Sequence, residues 1–190
     1  MYSPILVAYS TRTGSTGEVA EFIAEDLRRE GLTVELHRLR DLKSLPACSA
    51  IVLGAPIYMG KLPAEFKQFL RRSQTQIAAM PTWFYVLGPI RGKAWEFRDT
   101  AEHARSQLAK YPGIQPHDVK IIGGRFDPKN LPFPYSLTSH LPVFPLKDDP
   151  ATDVRNWKDI RAWTSEIADD LCLRFEVPGL TMRLNGAVLR

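Results

Sequence analysis

At 190 residues, 44% hydrophobic and 24% charged, the chain reads as one soluble globular domain with a sizeable core. No apolar run approaches the roughly 20 residues of a membrane span, no basic and apolar signal segment precedes the first strand-like stretch, and Cys48 and Cys172 are too far apart for a disulfide framework or zinc site. These features point to a reducing cytoplasm, and the formal charge of +4 favours anions or an anionic, peripheral membrane surface without implying nucleic acid.

Ile5 to Tyr9 is a continuous apolar run, the pattern of a strand buried on both faces. Val19, Phe22, Ile23 and Leu27 follow at helical spacing, Ser15 and Glu18 fit a capping box at the helix start, and Gly31 stops it. Thr33 to Leu36 makes a short second strand and Ala50 to Ala55 a third. Pro63 opens a helix with Phe66, Phe69 and Leu70 on one face. Trp83 to Leu87 is a fourth strand, followed by a helix carrying Phe97, Ala101, Ala104 and Leu108. Val119 to Ile122 is a fifth strand ending in Gly123-Gly124. Trp157, Ile160, Trp163, Ile167 and Leu171 mark a last helix, with Asp153 as its N-cap and both tryptophans in its core. Strands alternating with helices require right-handed crossovers, so the expected fold is an open, doubly wound, five-stranded parallel α/β sheet in three layers.

In such a sheet the ligand lies outside the carboxyl ends of the strands, where the strand order switches. The first loop there is Ser10-Thr11-Arg12-Thr13-Gly14-Ser15-Thr16. A strand that empties into a helix N-terminus through Ser, Thr and Gly makes a nest for a dianionic phosphate, with unpaired first-turn N–H groups, a positive dipole end and hydroxyl donors. No Gly-Lys-Ser/Thr follows Gly14, which excludes a nucleotide P-loop. The second loop, Pro56-Ile57-Tyr58-Met59-Gly60, has the aromatic and apolar residues to clasp a flat ring. The third, Gly88-Pro89-Ile90-Arg91-Gly92, continues to Lys93 and is bounded by glycines. The three should converge on one pocket. The alternatives are a plain capped turn for the first loop and simple packing roles for Tyr58 and Met59. His37, His103, His117 and His140 lack ligand spacing, so no metal is expected.

The run Val7 to Thr16 resembles the FMN-phosphate signature of the flavodoxin family, an aromatic followed by S/T-x-T-G-x-T, with Ala8 replacing a larger residue. Gly54-Ala55-Pro56-Ile57-Tyr58-Met59-Gly60 resembles that family's second flavin loop. Within the family the pattern is most similar to the menaquinone-dependent protoporphyrinogen dehydrogenase type, over residues 3 to 172. The resemblance implies a flavodoxin-like sheet and FMN as cofactor. It implies that Thr11, Arg12, Thr13, Gly14, Ser15 and Thr16 hold the phosphate, with Ser10 leading into them. Ile57, Tyr58 and Met59 would lie against the isoalloxazine, Tyr58 stacking on it. The Met59–Gly60 peptide resembles one that reorients to accept from reduced flavin N5–H, and residues 88 to 93 would cover the pyrimidine side. No catalytic residue is assigned, since the flavin carries the chemistry.

Arg12, Lys61, Arg91, Lys93 and Arg125 each fall just beyond a strand end and would form a cationic rim, unless they are ordinary solvated charges. Such a rim suits an anionic small redox substrate better than a carrier role, since carriers of this family are typically acidic. The expectation is therefore an FMN-dependent oxidoreductase acting on a small anionic substrate or a quinone. Its alternatives are a non-enzymatic carrier between redox protein partners and a flavin-binding domain without redox function. Residues 126 to 150 carry six prolines and an apolar set (Leu131, Phe133, Tyr135, Leu137, Leu141, Val143, Phe144), which excludes regular helix. This insertion would wall the flavin, receive a quinone, or serve as a rigid lid or homo-oligomer contact. It is shorter and more proline-broken than its counterpart in the dehydrogenases it resembles. Residues 173 to 190 read as a tail with little periodicity.

Overall fold

The computed structural model describes residues 3–128 and 150–175. The core of the proline-rich insertion and the end of the tail lie outside the described residues. In chain order the elements are β1 (Ile5–Tyr9), α1 (Ser15–Arg29), β2 (Val34–Arg38), β3 (Ala50–Pro56), α2 (Ala64–Ala78), β4 (Thr82–Leu87), α3 (Ala94–Leu108), β5 (Asp118–Ile122), β6 (Arg125–Phe126), β7 (Thr152–Asp153) and α4 (Trp157–Phe175). Strands β1 to β5 form one parallel sheet in the order β2-β1-β3-β4-β5, the expected architecture. The order reverses beside β1. The loops after β1 and β3 therefore leave the sheet toward opposite faces at their carboxyl ends, which opens a crevice there.

Both faces of β1 are covered, and this is why its sequence is unbroken by polar residues. Ile5, Val7 and Tyr9 face the layer containing α1 and α4, where Ile23, Leu27, Ile160, Trp163 and Ile167 are buried. Leu6 and Ala8 face the other layer with Phe66, Phe69 and Leu70 of α2. Each fully buried side chain of this size contributes about 1.5–3 kcal/mol of transfer free energy. Among the described residues, no helix is long and apolar enough to cross a membrane.

One close approach in the core sets up the crevice. Gly54 of β3 lies opposite Tyr85 of β4, and a Cβ at Gly54 would come within 1.9 Å of the Tyr85 ring. The buried Tyr85 ring therefore passes over Gly54, and its hydroxyl donates to the Thr16 carbonyl at 3.2 Å. Gly54 also accepts the Ser10 N–H at 2.9 Å. One glycine thus ties both the strand end and the helix start of the first loop to the sheet.

Two helix caps differ from expectation. Gly14, at φ +95°, is the N-cap of α1 and no side chain caps the helix, so Ser15 and Glu18 form no capping box. Ser15 is already inside the helix and buried, while Glu18 pairs with Arg125 and Arg155. Asp153 is likewise not the N-cap of α4. It belongs to β7, and the Asn156 side chain accepts the Asp159 N–H at 3.3 Å instead. The expected second strand also sits later, at Val34–Arg38.

Cys48 illustrates how burial silences a thiol. Its Sγ lies 3.7 Å from Met80 Sδ, and burial pushes the thiol pKa up to about 11. At about pH 8 only about a thousandth of it is thiolate, so Cys48 should react with an aromatic disulfide at least tenfold more slowly than a free thiol. A rate equal to that of free cysteine, assigned to Cys48 by peptide mapping, would contradict this.

Candidate functional site

The first loop has the chemistry of an anion nest. Thr11 Oγ1 accepts the Gly14 N–H at 3.0 Å, which folds the loop back so that Gly14 enters the left-handed region before α1. Nothing lies within 4 Å of where a Gly14 Cβ would stand, so backbone conformation rather than space selects glycine there. Ser10 and Thr16 are each 1% exposed, and neither Ser10 Oγ nor Thr16 Oγ1 has a hydrogen-bond partner. Leaving a buried hydroxyl unpaired costs about 1–3 kcal/mol. Two such groups at the positive end of a 15-residue helix fit an anion with several acceptor oxygens. A phosphate monoester has those oxygens, so the residues present fit the phosphate of FMN. Arg12 and Thr13 are exposed, and Thr11 is half-buried.

The second loop is a tight reversal. Pro56 ends β3, and the Ile57 N–H donates to the Leu87 carbonyl at 2.7 Å, which aligns the loop with the end of β4. Tyr58 and Lys61 then pair across a two-residue turn through hydrogen bonds of 3.1 and 3.0 Å. Both central residues have positive φ, 48° at Met59 and 71° at Gly60, as a turn of the mirror-image type requires. Met59 is 83% exposed, an unusual placement for a large apolar side chain. The Arg12 guanidinium lies over the Tyr58 ring, 5.4 Å from its centroid. Arg12, Tyr58, Met59, Lys61, Leu62, Pro63, Ala64 and Lys67 line a cleft of about 420 Å³. Its lining combines apolar residues with three cations and holds no carboxylate.

The third loop is braced from behind. Glu96, buried in the first turn of α3, accepts the Arg91 and Lys93 N–H groups at 2.8 and 3.3 Å. The Thr152 hydroxyl donates to the Ile90 carbonyl at 2.6 Å, and the Gly124 N–H donates to the Pro89 carbonyl at 2.6 Å. Gly92 reaches φ +69° beside Val154. Residues Gly88, Pro89, Ile90, Arg91 and Gly92 are thus fixed to the β6–β7 ribbon, and they do not line the cleft beside Tyr58.

The expected cationic rim divides. Arg12 and Lys61 face the cleft, and Lys67 of α2 joins them, a residue that sequence reasoning missed. Arg125 turns away to Glu18 at 3.0 Å. Glu18 also accepts from Arg155 Nη1 at 2.7 Å, and Asp153 holds Arg155 from the other side. The Arg155 hydrogen bonds hold the Asp153 carboxyl below its usual pKa against the opposing effect of burial. Arg125 is therefore part of a structural ion-pair network. Arg91 in the third loop and Lys93 just after it are exposed. Among the described residues no group of three or more His, Cys, Asp or Glu is placed to hold a metal.

A family model described as a flavodoxin domain matches residues 6–135. Among curated proteins, the chain is 29% identical over 91 residues to the protoporphyrinogen IX dehydrogenase [quinone] of Escherichia coli strain K12, covering 46% of this chain and 50% of that protein. The chain spans about half the length of the curated relatives it matches. Among solved structures, oxidised flavodoxin 1 from Bacillus cereus aligns with TM-score 0.55 at 13% identity, over 86% of this chain and 96% of that one. Rubredoxin:oxygen oxidoreductase from Desulfovibrio gigas aligns with TM-score 0.54 at 16% identity, over 91% of this chain and 38% of that one. At these identities the structural likeness speaks for the fold alone.

Proposed function

The chain belongs to the flavodoxin domain family, and from that premise we propose that it is an FMN-dependent oxidoreductase moving electrons between a small anionic substrate and a quinone-like acceptor. FMN is the cofactor of this family. The observation that carries the reading is the pair of buried, unpartnered hydroxyls of Ser10 and Thr16 at the amino end of α1. FMN, when bound, supplies one- and two-electron transfer. The chain supplies binding and orientation. Thr11, Arg12, Thr13, Gly14, Ser15 and Thr16 hold the phosphate. Ile57, Tyr58 and Met59 lie along the ring, with Pro56 and Gly60 setting the bends at either end of that segment. Gly88, Pro89, Ile90, Arg91 and Gly92 close its other side on a rigid backing.

The cleft beside Tyr58 supports the substrate half of the reading. Arg12, Lys61 and Lys67 line it together with Tyr58, Met59, Leu62, Pro63 and Ala64. That combination recognises a molecule with an apolar body and more than one carboxylate. The curated relative named for protoporphyrinogen IX acts on a compound of that description, and quinone is its named acceptor. A carrier would instead offer this surface to a redox protein.

The first test is the absorption spectrum of the purified protein, with extraction and identification of its flavin. A flavin spectrum and recovered FMN are expected. A colourless protein whose melting temperature is unmoved by added FMN would sink the reading. Turnover of a porphyrinogen with a quinone supports the enzyme, while two widely separated one-electron potentials without turnover support the carrier. Replacing Lys61 and Lys67 together by alanine is expected to raise KM for a dicarboxylate substrate about tenfold with kcat little changed, as loss of uniform binding predicts. An unchanged KM would remove the cleft from the mechanism.

A further inference from the structure

His103 stands on α3, yet its ring edge meets the second loop. A Cβ at Gly60 would lie 2.6 Å from His103 Cδ2 and 2.7 Å from Nε2, so the imidazole occupies the place a side chain would take at residue 60. Its Nδ1 is 2.8 Å from the Asp99 carbonyl oxygen one helical turn earlier, and the Asp99 carboxylate is 3.4 Å away. An Nδ1–H donated to that carbonyl fixes the ring and leaves Nε2 as the free nitrogen, turned toward Gly60. The turn's own bonds use the amides of Tyr58 and Lys61, so the Gly60 N–H is not engaged by the turn itself. Met59 meanwhile holds φ 48°, a left-handed conformation that strains a residue with a side chain. Any reorientation that relieves Met59 moves Gly60 relative to the imidazole.

We infer that His103 is a positioning residue for the flavin loop: its ring edge and Nε2 set the orientation of the Met59–Gly60 turn, and through it the relative affinity for oxidised and reduced FMN. The inference rests on the flavin reading above and adds to it a residue outside all three loops. Its action does not depend on touching the cofactor. The ring is buttressed by its own helix, and the turn it braces is the segment proposed to run along the isoalloxazine.

The test compares His103→Leu, His103→Gln and His103→Asn in the purified protein. Three quantities are read: the apo melting temperature, the FMN dissociation constant, and the flavin midpoint potentials. Gln extends a polar group to about where Nε2 sits, whereas Asn reaches only the Nδ1 position. The Leu and Asn variants should shift the ratio of reduced- to oxidised-FMN affinity about tenfold, and Gln should restore it. The apo melting temperatures should stay together. Potentials in the Leu variant equal to wild type overturn the inference while leaving FMN binding intact. Equal shifts in all three variants that follow a loss of stability overturn it as well, since packing alone then explains them. A wild-type protein that binds no FMN removes the parent reading and this one with it.

Discussion

Replacing Thr16 with valine is expected to move the two states of the protein in opposite directions. In the ligand-free chain Thr16 Oγ1 is buried without a partner, so the isosteric methyl removes an unsatisfied polar group. The apo protein should gain up to about 1–2 kcal/mol, a rise of several degrees in melting temperature for a chain of this size. In the proposed FMN complex the same hydroxyl would donate to a phosphate oxygen, and a hydrogen bond to a charged group contributes about 1.5–3 kcal/mol. The dissociation constant should therefore rise about tenfold to a hundredfold, and further when Thr13→Val is added, since Thr13 is proposed to hold the same phosphate. Fluorescence titration of FMN and thermal melts of the apo protein measure the two effects separately. A variant that loses apo stability and FMN affinity together would indicate a packing defect. Unchanged affinity would remove Thr16 from the phosphate site.

The sheet was legible because burial on both faces leaves a run such as Ile5 to Tyr9 with no polar position to interrupt it. The strand-end loops were legible for a related reason. A turn of Ser, Thr and Gly interrupts the apolar pattern between strand and helix, and Gly54 to Gly60 combines a close approach with a tight reversal. The caps were harder to read. Ser15 and Glu18 satisfy the spacing of a capping box, yet Thr11 bonds Gly14 and shifts the helix start by one residue. Asp153 and Asn156 both precede Trp157. The choice between them depends on where β7 ends, which is fixed by the pairing of Asp153 with Arg125 across the insertion. Glu96 carries no warning either, because the residue three before it is lysine rather than a hydroxyl cap. Its burial follows from two loop N–H groups that arrive from Arg91 and Lys93. Lys67 and His103 were out of reach for a purely tertiary reason. Each is an ordinary helix-face residue until the crossover sets α2 beside the first loop and α3 beside the second. Periodicity describes the face a helix buries, and it carries no information about which loop meets the other face.

Arg155→Met should cost the protein measurable stability, because this guanidinium joins three segments at once. Its side chain is only 3% exposed. It donates from Nε to Asp153 at 2.8 Å and from Nη1 to Glu18 at 2.7 Å, and it lies 4.8 Å from the Trp157 ring centroid. Breaking a fully buried pair costs about 3–5 kcal/mol. Here Glu18 and Asp153 are 40% and 42% exposed, so water recovers part of that. A loss of about 1–3 kcal/mol remains, roughly 3–10 °C in melting temperature. Lysine should not restore it, since a point charge cannot reproduce the fork to Asp153. The effect should also reach the third loop, because Thr152 and Val154 brace Ile90 and Gly92 from the same ribbon. The pH dependence has a definite sign. The Asp153 carboxyl is held below its ordinary pKa, with the Arg155 hydrogen bond the largest cause. Its contribution is therefore complete above the unfolded carboxylate pKa of about 4 and disappears as pH falls through the lower folded value. The stability gap between wild type and Arg155→Met should be full at neutral pH and narrow in acid. A gap that stays constant down to about pH 3 would show that packing against Trp157, rather than the pair with Asp153, is what Arg155 contributes.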